Sequence, residues 1–188
     1  LLARLTPDDV SDAAWPYLTA RRLEVGYARV LALRVTYVGE LGYELHLPVE
    51  SAASVYDAVM AAGRPLGLVN AGYRAIESCR LEKGYRDFGH DLDNTDDPYE
   101  TGLGFAIDVK KPDGFIGKEA LLERKAKGPL QRRLVSILVS DPEPQMFHAE
   151  IVRRDGKAVG YVRAASYGHT LGGAVGLAFL EPKQTVDE

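Results

Sequence analysis

Residues 28–48 read ARVLALRVTYVGELGYELHLP, and the shape of the first half of the chain turns on this stretch. From Ala28 to Tyr37, Val30, Ala32, Arg34 and Thr36 fall on one side of an extended chain. Leu31, Leu33, Val35 and Tyr37 fall on the other, giving a period of two with one firmly apolar face. Gly39 and Gly42 interrupt the pattern. Alternation then resumes with Tyr43, Leu45 and Leu47 against Glu44 and His46, and Pro48 closes it. Two strands around a glycine-bearing connection predict a β-hairpin.

Upstream, Thr6 followed by Pro7, Asp8 and Asp9 reads as a helix N-cap with proline in the first turn. A chain apolar from Leu1 is expected to start inside an element and so to be a piece of a longer protein. Downstream, Ser51–Ala62 has helical spacing (Ala52, Val55, Tyr56, Val59, Met60), with Gly63 as its stop. Asn70 is the expected N-cap of a second helix with an Ala75, Ile76, Cys79, Leu81 stripe, closed by Gly84. A loop rich in Asp, Asn, Thr and Pro follows from His90 to Pro98. Residues 102–128 predict a strand, a turn at Pro112–Gly114 and a lysine-rich amphipathic helix. From Arg132 onward short strands dominate, with Asp155-Gly156 a tight-turn signal. The expected fold is α+β: a domain over 1–129, then a small β-barrel over 130–188 that lacks its final strand.

Composition narrows the function. The chain is 46% hydrophobic and 27% charged, the mixture of a core-forming globular protein. Its net charge is −4 with both signs interspersed, which does not make the clustered basic surface of a nucleic-acid partner. No apolar run approaches the roughly 18 residues of a membrane span, and Leu1–Trp15 has no secretory pattern. Cys79 is the only cysteine, which suits a reducing compartment: cytoplasm, or mitochondrial matrix in a eukaryote. His46, His90, His148 and His169 lack metal-ligand spacing, so no metal is expected. There is no GxSxG, no Walker-type loop and no GxGxxG. Gly102–Phe105 (GLGF) opens no helix, so this chain is expected to bind neither flavin nor nicotinamide.

Glu44 is the first candidate for chemistry. Its plain reading is a solvated or ion-paired glutamate. Its functional reading is a carboxylate meeting a planar ligand edge with two adjacent donors, such as the amino-pyrimidinone edge of a pterin. Tyr37 and Tyr43 would supply flat area to such a pocket, and His46 is read as a bystander. Arg74 is the second candidate. A cation in a first helical turn opposes the helix dipole, so it either pairs with Glu77 at i+3 or grips an anion or ring carbonyl. Arg80 and Glu82 read as surface charges.

Ordered blocks then carry a resemblance: YVGELGYE at Tyr37–Glu44, AGYRAIESCRLEKGY at Ala71–Tyr85, DDPYETGLGF at Asp96–Phe105 and FIGKEAL at Phe115–Leu121. Together with RRLVSILVS, DGKAVGYVRAASYG and AVGLAFLEP, they resemble the folate-binding aminomethyltransferase (glycine-cleavage T-protein) family over essentially the whole chain. Residues 60–92 resemble most the C-terminal region of sarcosine dehydrogenase, then dimethylglycine dehydrogenase. The resemblance implies a tetrahydrofolate site with Glu44 reading the pterin, Tyr37 lining the pocket and Arg74 contacting the ligand. No block matches the motif of the family's catalytic aspartate, so no catalytic residue is assigned and the isolated chain is expected to be inactive. It also implies an FAD-dependent oxidoreductase module preceding this one in the same polypeptide, acting on an N-methyl amine. Two other family roles stay open: a free-standing aminomethyltransferase, and a regulatory or binding module of the same fold.

Overall fold

The computed structural model describes residues 1–181. The chain groups into two compact units, Leu1–Ile76 and Glu77–Glu188.

The first unit is built on a three-stranded antiparallel sheet in the order β1-β2-β3, with β1 Ala20–Val25, β2 Ala28–Leu33 and β3 Glu44–His46. The expected hairpin is present, with shorter strands and a longer connection. Leu31 lies opposite His46, Ala32 opposite Leu45 and Leu33 opposite Glu44. β1 was not predicted. It joins β2 through a two-residue turn in which Gly26 has φ 61°, a left-handed conformation that suits glycine.

The core lies on the opposite face of β2 from the one the sequence suggests. Ala28, Val30 and Ala32 are buried with Leu23 and Val25 of β1, whereas Leu31 is 39% exposed. The physical reason is Trp15, which is fully buried in the same cluster. It packs on Tyr43 with ring centroids 5.0 Å apart, and a large indole over small β2 side chains fills the space that leucines would otherwise occupy. Arg34 ends this inward row as a buried guanidinium that donates to the Trp15 carbonyl and pairs with Asp12.

Helix α1, Ala52–Gly63, covers this core with Val55. Gly63 is its last residue rather than a left-handed stop. A Cβ there would sit 2.3 Å from Leu68, and the left-handed residue is Gly67 (φ 77°), after a 3-10 turn. The helix expected at Thr6 does not form. Thr6 and Asp8 hydrogen-bond to each other, and Ser11 N–H donates to the Asp9 carboxylate at 2.9 Å. Such local side-chain bonds compete with helix propagation.

Helix α2, Tyr73–Glu82, begins three residues after Asn70. Asn70 does not cap it, because its amide donates to the Tyr56 hydroxyl at 2.7 Å. In the second unit, the strand expected after Gly102 is instead a 3-10 turn, Gly104–Ala106. It is followed by α3, Lys118–Ala126, which buries no residue. The remaining strands are β4 Arg133–Leu138, β5 Ile151–Arg154, β6 Lys157–Gly168 and β7 Gly173–Leu180. Within the described residues they form an open antiparallel sheet in the order β4-β7-β6-β5. The β5–β6 turn is Asp155-Gly156, with φ 50° and 77°, as the sequence indicates. The architecture is thus α+β with an all-strand C-terminal part.

Candidate functional site

The three residues singled out by sequence all lie in the first unit. Tyr37 lies within the connection between β2 and β3, and Glu44 is the first residue of β3. Arg74 is the second residue of α2, exposed in its first turn. Glu77, three residues on, also accepts from Arg80 at 2.9 Å.

Glu44 belongs to the outer face of the sheet. Its side chain is 58% exposed, and its Oε2 lies 3.3 Å from Nε2 of His46, itself 57% exposed. His46 is therefore a partner and not a bystander. The register sets Leu33 and Leu31 directly across from this pair, so the carboxylate stands at the edge of a small apolar strip. A flat ring lying on that strip would bring a donor edge to the carboxylate, which can accept two parallel hydrogen bonds. The residues present therefore fit a pterin-like edge.

Tyr43 does not share this face. With Leu45 it points inward, where both pack on the core and line an apolar recess of about 360 Å³ with Leu1, Leu2, Leu5, Leu41 and Val59. Glu44 is not part of that lining, so Tyr43 and Glu44 present different faces of the strand.

Sequence reasoning missed the charged centre of the second unit. Arg80 is 2% exposed and Asp91 fully buried, and the guanidinium binds both carboxylate oxygens. Asp91 also accepts from Asp87 N–H at 2.9 Å and lies 2.9 Å from His90 Nδ1. Nearby, Arg124 bridges Asp97 and Glu100, each at 2.7 Å, and Arg132 bridges Asp96 at 2.6 Å and Glu100 at 3.0 Å. Burial pushes the Arg132 value down, but Glu100 and Asp96 outweigh it and raise the value overall. Arg80 and Glu82 are not surface charges. Glu82 accepts the backbone N–H groups of Thr170 at 2.7 Å and Leu171 at 3.2 Å. The Arg80, Arg124 and Arg132 pairs thus tie down the 87–101 loop, and Glu82 ties down the β6–β7 turn. Among the described residues, no group of three or more His, Cys, Asp or Glu is arranged to hold a metal.

The family model described as the GCVT N-terminal domain matches residues 1–111, and that of the glycine cleavage T-protein C-terminal barrel domain matches residues 132–188. The chain belongs to the glycine cleavage T-protein family. Among curated relatives, the chain is 48% identical over 182 residues to 4-methylaminobutanoate oxidase (formaldehyde-forming) of Paenarthrobacter nicotinovorans, covering 97% of the chain and 22% of that protein. It is 43% identical over 180 residues to human mitochondrial sarcosine dehydrogenase, covering 96% of the chain and 19% of that protein. The solved glycine cleavage system aminomethyltransferase T from Bartonella henselae superposes with a TM-score of 0.74 at 26% identity, covering 84% of this chain and 43% of that one. The chain therefore spans about a fifth of the length of the curated amine-oxidising relatives. It is an aminomethyltransferase-type domain related to those enzymes. No helix among the described residues is long and apolar enough to cross a membrane.

Proposed function

We propose that this chain is the tetrahydrofolate-binding portion of an FAD-dependent amine-oxidising enzyme of the sarcosine and dimethylglycine dehydrogenase kind. The observation that carries the reading is Glu44: an exposed carboxylate beside the Leu31–Leu33 strip, in a family whose relatives include oxidases and dehydrogenases of N-methyl amines. When bound, tetrahydrofolate would supply the nitrogens that take up the one-carbon unit released by amine oxidation, giving methylene-tetrahydrofolate. Glu44 reads the amino-pyrimidinone edge through two charge-assisted hydrogen bonds, while Leu31 and Leu33 carry the ring's apolar face. Tyr37 lines the pocket, and Arg74 contacts the ligand as an anion or carbonyl donor. The oxidation itself belongs to an FAD module in the same polypeptide, outside residues 1–188. Within this chain the folate-binding domain runs over 1–129 and the barrel over 130–188. The enzyme works in the cytoplasm or mitochondrial matrix.

The test is calorimetry of 5-formyltetrahydrofolate with the full-length protein. Glu44→Gln keeps the shape but turns an amide donor toward a ligand donor. A hydrogen bond to a charged group contributes roughly 1.5–3 kcal/mol, so affinity should fall about ten- to a hundredfold. Thermal stability should hardly move, because Glu44 is solvated. Equal affinity for wild type and variant would refute the assignment of Glu44.

A further inference from the structure

The β3 strand pairs Glu44 with a second residue. We infer that His46 is a positioning residue for the Glu44 carboxylate, an inference that rests on the folate reading above. Residues i and i+2 of a strand share a face, and the imidazole Nε2 lies 3.3 Å from Glu44 Oε2. Across the ladder on that face stand Leu33 and Leu31, which offer the carboxylate no hydrogen bond. Among the described residues, His46 is the group that holds Glu44.

A glutamate on an open strand face samples many rotamers, and its terminal torsion is broad. Freezing such a side chain costs a binding event about three- to tenfold in affinity. A histidine already bonded to Oε2 fixes the carboxylate plane before the ligand arrives. The carboxylate keeps enough lone pairs for this, since it has about four acceptor positions. The imidazole takes one on Oε2, and a planar ligand edge takes one on each oxygen. His46 itself touches no ligand in this arrangement.

The experiment is a calorimetric double-mutant cycle with 5-formyltetrahydrofolate on the full-length protein. His46→Leu should weaken binding about three- to tenfold, the ordering cost of one side chain returned to the binding step. His46→Gln, which places an amide N–H at a reach similar to Nε2, should restore most of the affinity. In the Glu44→Gln background, His46→Leu should add nothing, because there is no carboxylate left to orient. Thermal melts of all four proteins should coincide, which a merely structural role for His46 would not allow. If Glu44→Gln weakens binding while His46→Leu does not, the positioning role is overturned and the folate site stands. If His46→Gln is as weak as His46→Leu, the donor role is overturned. If Glu44→Gln binds like wild type, or the wild type binds no reduced folate, the folate reading fails and His46 falls with it.

Discussion

Replacing Asp91 by asparagine should be among the costliest polar changes in this protein. The carboxylate is fully buried, holds both terminal nitrogens of a guanidinium that is itself 2% exposed, and accepts the N–H of Asp87. An asparagine keeps the volume and one acceptor, but turns an NH2 toward Arg80. The guanidinium keeps the Tyr85 carbonyl and Glu77, and loses the charge that best matches its own. Breaking a buried ion pair by removing one partner costs about 3–5 kcal/mol, because the other charge stays in a low-dielectric site. Urea unfolding followed by circular dichroism measures this. With a slope of about 1–3 kcal/mol per molar urea, the midpoint should fall by roughly 1–5 M. Asp155→Asn is the matched control, since that side chain is 92% exposed and sits at a turn position, φ 50°, that asparagine tolerates. The paired change Arg80→Met with Asp91→Leu should cost less than Asp91→Asn alone, because it leaves no guanidinium buried against an amide and releases only Glu77, whose side chain reaches solvent. A loss under about 1 kcal/mol for Asp91→Asn would refute the reasoning, since that is the cost of an exposed pair.

Gly160→Ala should destabilise the second unit by at least the upper end of the roughly 1–3 kcal/mol of an overpacked core, because its Cβ would fall 1.9 Å from the Phe179 carbonyl oxygen. Thermal melts check it, and an unchanged midpoint would contradict it. Burial pushes the Glu82 carboxyl up, but hydrogen bonds from Thr170 and Leu171 outweigh it and hold it below its usual 4.5. Its contribution to stability is therefore full above 4.5 and lost as pH falls through the lower folded value. Stability measured against pH should fall less steeply on the acid side in Glu82→Gln, and equal slopes would rule the mechanism out. Leu23→Ala, inside the first core, should cost about 2–5 kcal/mol, whereas Leu31→Ala on the exposed face should cost under about 1 kcal/mol. Comparable losses would mean that the two faces of the sheet are wrongly assigned.

The hairpin, α1, the Asp155-Gly156 turn and the shift to strands after Arg132 were legible because each rests on local periodicity or turn chemistry. β1 was not, since only Leu23 and Val25 among its six residues face the core. The inward face of β2 was misjudged for a tertiary reason. Leucines look more core-like than Val30 and Ala32, and nothing in the strand announces that Trp15 will fill the space above them. Glu44 and Arg74 were singled out by strand alternation and helix-end position and then by the motif blocks, and both stand at exposed positions. Arg80 and Asp91 could not be paired from sequence. They are eleven positions apart across a turn, and no spacing rule joins a helix to an irregular loop.

The odd and even positions of β2 and β3 answer to different masters. Ala28, Val30, Ala32 and Leu45 face the core, while Leu31, Leu33, Glu44 and His46 face outward, one residue apart along the same backbone. Substitution at the outward letters can retune what the surface recognises without touching the indole-centred core beneath. A lineage could thus trade one ligand for another by drift at every second codon. The inward letters would stay nearly silent through the change, so relatives with different chemistry would still share the interleaved half of this hairpin.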